Sequence, residues 1–257
     1  YGEVIWARQI GPNNSIRDEY YRGNGKKNEW SLFAKSSYLI NDQLEIFGDI
    51  QFRKIGYKTT GLTSDLVNML IDQTYDFFNP KFGLSYEFNL NSNLFFSYSR
   101  ANREPSRSDY ENNSNIKSEK LNDFELGWRY RKDGLKFNAN IYYMLYDEQL
   151  ILTGALDDVG TPIRTNSGQS YRFGLELDGG YKFSESFLVN TNMTLSSNKN
   201  KEIISLVDGA LFNYGKTNIS FSPSIISSSS FVFNPSEKTS FSFLSKFVGS
   251  QYMGNTD

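Results

Sequence analysis

Between Leu121 and Leu152 the chain reads LNDFELGWRYRKDGLKFNANIYYMLYDEQLIL, with apolar residues on alternate positions on both sides of one turn. Phe124, Leu126, Trp128 and Tyr130 alternate with Glu125, Gly127, Arg129 and Arg131. After Asp133-Gly134 the pattern resumes, with Leu135, Phe137, Ala139, Ile141, Tyr143 and Leu145 on one parity and Lys136, Asn138 and Asn140 on the other. Period-two patterning flanking an Asp-Gly pair predicts a β-hairpin. Its arms run for roughly a dozen residues, against about five or six for a strand in a globular domain. An arm of about 9–11 residues, tilted by about 45°, crosses the hydrocarbon core of a bilayer. The pattern therefore predicts either unusually long strands in water or strands in lipid.

The same device recurs along the chain. Trp30 to Ile40 and Leu44 to Phe52 alternate around Asn41-Asp42-Gln43, and Phe82 to Leu90 and Leu94 to Tyr98 alternate around Asn91-Ser92-Asn93. Tyr171 to Phe183 and Phe187 to Leu195 flank Ser184-Glu185-Ser186, and the last arms flank Asn234-Pro235-Ser236-Glu237. Longer polar connections separate these hairpins, at Gly11–Lys27, Tyr57–Asp76, Arg103–Lys120, Thr153–Gly168 and Asn198–Tyr214. Within the second, Asp65 to Gln73 has helical spacing (Leu66, Met69, Leu70) and reads as a short helical turn; Gly2 to Ile10 reads as a weak strand. The pattern gives ten strands and a possible eleventh. Short turns strictly alternate with long loops, whereas sandwiches place turn signals about every 8–12 residues without this asymmetry. Short turns on one side, long loops on the other and bilayer-length strands predict an all-β, antiparallel outer-membrane β-barrel. Only a closed barrel pairs every backbone group while one face of each strand meets lipid. Aromatic residues near strand ends (Trp30, Tyr38, Tyr57, Phe82, Trp128, Tyr130, Phe187) suit interfacial girdles. A soluble secreted β-rich binding protein built as a long meander is the competing reading.

Composition is compatible with the membrane reading. Mean hydropathy is −0.52, but a barrel wall hides its apolarity in every second residue. No run of about 18 apolar residues marks a membrane helix. A net charge of −2 provides no polycationic surface for nucleic acid. The chain has no Cys and no His, which removes thiolate nucleophiles, Cys-metal sites and any Ser–His or Asp–His relay from these 257 residues. No paired carboxylates or nucleophile–base set stands out, so the expectation is no enzyme, no cofactor and no metal.

Several stretches resemble the barrel domain of TonB-dependent outer-membrane receptors, most of all those of Bacteroidetes-type bacteria. They are Asn79–Tyr86, Phe96–Tyr110, Leu121–Tyr130 with Ile141–Gly154, Thr165–Glu176 and Val248–Thr256. The resemblance covers most of the chain from about residue 44 onward, in the family's order, and is not specific for any cargo. It implies a 22-stranded barrel around an N-terminal plug that binds TonB through a short box, and import of scarce cargo such as siderophore-iron, haem or cobalamin across the outer membrane of a Gram-negative cell. Plug, TonB box, early strands and final strands are not in the sequence. Residues 1–257 are therefore read as one part, roughly the C-terminal half, of a larger barrel. A passive porin-type channel is the alternative function.

Candidate site residues fall into two groups. Arg103, Glu104, Arg107 and Asp109 form a charged set at a loop mouth, read as an ion-pair network shaping a strand end in preference to ligand contacts. Arg172, Glu176 and Asp178 share the parity assigned to the lumen, where they either pair with the plug or stay solvated. Asp157-Asp158 reads as a plain acidic loop in preference to a Ca²⁺ site. The expected partners are the plug, TonB, outer-membrane lipid and small-molecule cargo.

Overall fold

At the central turn, Asp133 and Gly134 have φ of 48° and 80°. Two successive positive φ values define the type I′ hairpin turn, whose twist matches that of the strands it joins. The computed structural model describes residues 2–5, 11–64, 66–156, 160, 162–207 and 210–257. Asp157-Asp158 and most of the expected strand at residues 2–10 lie outside them.

In chain order the elements are β1 (Gly2–Glu3), β2 (Glu19–Tyr21), β3 (Gly23–Leu39), β4 (Leu44–Leu62), β5 (Asn68–Asn89), β6 (Ser92–Arg103), α1 (Arg107–Asn112), β7 (Glu119–Lys132), β8 (Leu135–Asp147), β9 (Leu150–Leu156), β10 (Pro162–Asn166), β11 (Gln169–Ser184), β12 (Phe187–Val207), β13 (Ala210–Asn218), β14 (Ile225–Ser236) and β15 (Thr239–Val248). One eleven-stranded antiparallel sheet runs in the order β3-β4-β5-β6-β7-β8-β11-β12-β14-β15, with β13 paired to the far half of β12. β1–β2 and β9–β10 are separate two-stranded ribbons. β3 and β15 are the edges of this sheet, each with one row of backbone groups outside its ladder.

Register assigns the two faces. Ile46, Ile50 and Phe52 of β4 sit beside Leu84, Pro80 and Phe78 of β5, on one exterior face. Leu126, Trp128 and Tyr130 meet Ile141, Ala139 and Phe137 on that same face. Ring pairs line its two ends. Trp128 touches Tyr130 and Phe137 near the short turns, with its indole N–H donating to Ser92 Oγ at 2.8 Å. At the other end Trp30 meets Phe52, Tyr98 meets Phe124, and Tyr143 meets Tyr171 and Phe173.

Above this band the pattern inverts. Exterior positions become ion pairs, Lys54–Asp76 at 3.5 Å and Lys58–Asp72 at 2.8 Å. The apolar residues move to the interior face, where Ile55, Met69, Ile71 and Phe77 are buried. The physical reason is a change of solvent. Within the band the outside is dry and the lumen wet; beyond it the outside is wet and only inward packing removes apolar area from water.

That inversion corrects several expectations. Tyr57–Asp76 is mostly strand, since β4 and β5 stay paired from Leu44↔Tyr86 to Leu62↔Asn68. Residues 68–73 of the expected helical turn are strand: Met69 is 3% exposed and Leu70 81%, so they lie on opposite faces. Likewise β12 and β13 extend through the expected Asn198–Tyr214 loop as a ribbon. β3 starts at Gly23, inside the expected Gly11–Lys27 loop. Tyr57 is not a girdle residue, because it faces inward and stacks on Tyr110.

Candidate functional site

The end of the sheet opposite the short turns is folded inward. Pro105 follows the end of β6, where its missing N–H ends ladder pairing. Ser106 then caps α1 through a capping box: its Oγ accepts from Asp109 N at 3.3 Å, and Asp109 Oδ2 accepts from Ser106 N at 2.8 Å. The helix drops Tyr110 onto the interior face of β4–β5, where it packs with Met69, Ile71, Ile116 and Leu150. Tyr57 stacks on its ring at 5.8 Å, and its hydroxyl is hydrogen-bonded to that of Tyr75. Burial first, then the Tyr75 contact, pushes the Tyr110 hydroxyl far above its ordinary pKa.

Side-chain stitches join the neighbouring loops. Lys117 pairs with Glu148 at 2.6 Å, while Asn166 accepts from Lys117 N and donates to the carbonyls of Lys117 and Glu148. Asn255 accepts from Ser220 N and donates to Leu152 O at 2.6 Å. A second cluster packs Ile151 of β9 against Ile203 of β12 and Ile219, with Tyr214 of β13 beside it. The mouth is thus a packed surface built from α1, β9–β10 and the strand extensions.

The predicted mouth residues do not converge on one point. Glu104 takes Lys27 at 2.5 Å and Arg53 at 3.7 Å; Arg103 takes Glu119 at 3.4 Å; Arg107 takes Glu111 at 3.0 Å; Asp109 caps α1 and lies 3.8 Å from Arg164. Arg53 also donates to Glu29 at 2.9 Å, which ties β4 to β3. Three of these residues tie separate segments together, Arg103 to β7, Glu104 to β3 and β4, and Asp109 to β10, while the Arg107–Glu111 pair lies within α1.

Arg172, Glu176 and Asp178 lie on the interior parity of β11, opposite Met144, Asn140 and Asn138 of β8. Arg172 donates to Ser222 at 2.9 Å. Asn140 is shared between Glu125 at 3.3 Å and Glu176 at 3.4 Å, and Asn138 donates to Asp178 at 2.9 Å. Asp123 and Asn140 each bury an oxygen without a hydrogen-bond partner. Towards the short turns the wall turns basic, with Arg131 directly opposite Lys136 and Arg129 stacked over Phe95 at 4.2 Å. Three interior rings (Phe47, Phe95 and Tyr142) lie over Gly83, Gly127 and Gly174 on the next strand, where any Cβ would collide with them.

Sequence reasoning missed Tyr57, Tyr75, Tyr110, Asn166 and Asn255. The available signal was the alternation of Ile55, Tyr57 and Thr59 with Gly56, Lys58 and Thr60, which continues the strand with its apolar parity reversed.

Girdled exterior, polar lumen, short turns and inward-folded long connections define a membrane-type β-barrel wall. The sequence belongs to the family described as TonB dependent receptor-like, beta-barrel, whose model matches residues 5–256. No curated protein matches it. Among solved structures it is similar to the siderophore receptor PiuA from Acinetobacter baumannii (TM-score 0.73, 14% identity, covering 91% of this chain and 35% of that one). It is also similar to the copper transporter OprC (TM-score 0.70, 13% identity, 87% and 36%) and to the ferric yersiniabactin uptake receptor FyuA from Yersinia pestis (TM-score 0.63, 16% identity, 91% and 36%). At these identities the likeness establishes the fold alone. The chain spans about a third of the length of the structures it matches, 35% of the first.

Proposed function

We propose that this chain is part of the wall of an energised outer-membrane receptor that captures scarce cargo at its mouth and imports it with energy delivered by TonB. The observation that carries the reading is the inversion of the apolar face above Lys54–Asp76. It supports a mouth built inward from packed aromatic and aliphatic side chains, a surface suited to holding a small molecule. A passive pore has no need of inward-packed ribbons and is the weaker alternative. The charged and amide-rich lumen suits a plug held by reversible polar contacts, with Glu176 and Asp178 facing it. Metal chelates (siderophore-iron, haem, cobalamin or similar) are the proposed cargo class, since the similar structures include a siderophore receptor and a copper transporter.

Uptake of a panel of radiolabelled chelates by cells carrying the full receptor tests this. Uptake of one cargo should vanish on deleting either the receptor or TonB, and the purified receptor should stay closed in a planar bilayer. Steady TonB-independent conductance would instead establish the porin. Orientation is tested separately, because these residues contain no native cysteine. A cysteine at Asn113 should label from outside intact cells and one at Asp133 should not; the reverse pattern overturns the topology.

A further inference from the structure

The exterior row just beyond the upper aromatic girdle carries three lysines that belong to no ion pair among the described residues. Tyr171 pairs with Lys199 across β11–β12, on the exterior parity, and Lys199 pairs with Asn218 of β13. Lys216 lies 5.0 Å over the Tyr171 ring, Lys199 Nζ donates to Asn218 Oδ1 at 2.5 Å, and Lys201 Nζ donates to Gln169 Oε1 at 3.2 Å. Of the nearby acids, Asp147 is ion-paired with Lys120 at 2.6 Å and feels Lys201 only through space, and Glu202 accepts from Asn213 at 2.7 Å. Asp257 is tied to Asn218 through its backbone oxygen, and its side chain belongs to no ion pair among the described residues.

We infer that Tyr171, Lys199, Lys201 and Lys216 form a binding site for the phosphorylated headgroup of an outer-leaflet lipid. The height of the patch supports that ligand. Tyr171 belongs to the girdle, touching Tyr143 at 6.1 Å, so its ring marks the boundary between acyl chains and headgroups. Ammonium groups immediately beyond that boundary meet headgroup phosphates, and each lysine near an anionic membrane surface adds favourable binding energy. Their present partners are neutral oxygens and a π face, which give way to a phosphate without leaving a buried charge unpaired. A free anion finds the same charges but lacks the acyl chains that would lie along Leu145, Phe173 and Leu175 below.

The inference rests on the proposed orientation, with these lysines at the cell exterior. The test uses full-length receptor in detergent, native and with Lys199, Lys201 and Lys216 all changed to Gln, titrated with diphosphoryl lipid A. Heat-modified gel migration checks that both barrels are folded. Binding should weaken at least tenfold in the variant, and millimolar inorganic phosphate should not displace the lipid from the native receptor. Equal affinity for both proteins overturns the site, and displacement by inorganic phosphate reduces it to a plain anion site. A Lys216→Cys variant labelled from outside intact cells separates the two failures. If it labels only after the outer membrane is permeabilised, the orientation is wrong; if it labels from outside while lipid affinity is unchanged, only the lipid site fails.

Discussion

Replacing Gly127 by Ala tests the packing of the lumenal wall at a point where the sign of the effect is informative. In a strand interior Ala ordinarily stabilises relative to Gly, by roughly 0.5–1 kcal/mol, through lost chain entropy. At Gly127 the new methyl would fall inside the Phe95 ring, which lies on the glycine across the β6–β7 register. The ring must swing into the lumen, and overpacking of this kind costs about 1–3 kcal/mol. Phe95 also supports Arg129 at 4.2 Å, and losing that contact adds about 0.5–1 kcal/mol. The net expectation is a destabilisation of about 0.5–3.5 kcal/mol, centred near about 2 kcal/mol. Gly48 provides the opposite case: it lies on the exterior face beside Phe82, and a methyl group added there would have nothing within 4 Å. Gly48→Ala should therefore be neutral or stabilising. Equilibrium urea unfolding of the full-length receptor in micelles gives both values. Adding Phe95→Ala to Gly127→Ala should recover part of the loss, because the two residues interact directly. If Gly127→Ala is as stable as Gly48→Ala, or Phe95→Ala gives no recovery, the ring does not lie on that glycine.

Other substitutions probe the band, the mouth and the rim. Leu126→Arg, on the lipid face between Trp128 and Phe124, should cost about 2–4 kcal/mol in the same unfolding assay, whereas Thr74→Arg, beyond the Lys54–Asp76 pair, should fall within about 0.5 kcal/mol of the native value. Tyr110→Ala should loosen the mouth by about 3–5 kcal/mol and Tyr110→Phe by about 1 kcal/mol; faster proteolysis of the 104–118 and 63–67 segments, with the band intact, is the readout. At the rim, the Lys120 hydrogen bond first, then its charge, holds the Asp147 carboxyl below its ordinary pKa. A depressed carboxylate pKa stabilises above the unfolded value of about 3.9 and loses that stabilisation as pH falls through the folded value. Because both side chains are more than a third exposed, screening limits the contribution to less than about 1 kcal/mol. Asp147→Asn should therefore raise amide exchange at the β7–β8 end at pH 7 and leave it unchanged once the pH is low enough to protonate the native carboxyl.

How far the sequence could be read follows from where its period-two signal keeps one meaning. Across Phe124–Tyr130 and Leu135–Tyr143 the outside is always lipid, so apolar parity alone identifies the exterior face and the turn between the arms. The strand extensions carry the same period but with inside and outside exchanged. Ile55 and Met69 look like a break in the β4–β5 pattern, while Leu66, Met69 and Leu70 imitate helical spacing. The candidate charges show a second limit. Arg103, Glu104, Arg107 and Asp109 are neighbours in sequence, and proximity suggests one network. Arg107 pairs locally with Glu111 inside α1, but the partners of the other three (Glu119, Lys27 with Arg53, and Arg164) come from different elements, and those pairings are visible only once the loops are folded over the mouth.

In a wall between two solvents, burial alone does not say what a side chain is for. Phe78 and Phe77 are adjacent in β5, one half-exposed on the exterior and the other buried inside. Both are where physics puts them, Phe78 because lipid is an apolar solvent and Phe77 because water lies on both sides of the wall at its height. The level at which the Lys54–Asp76 pair replaces Phe52–Phe78 therefore divides scaffold from site. Below it, exterior aromatics hold the wall in the membrane and interior charges face the lumen. Above it, interior aromatics such as Tyr57, Tyr75 and Tyr110 are free of any anchoring role, and their packing is available to shape the proposed binding surface of the mouth. Residues that set selectivity are accordingly expected on the interior parity above Arg53. They should be recognisable in related chains by an apolar parity that switches at the same height.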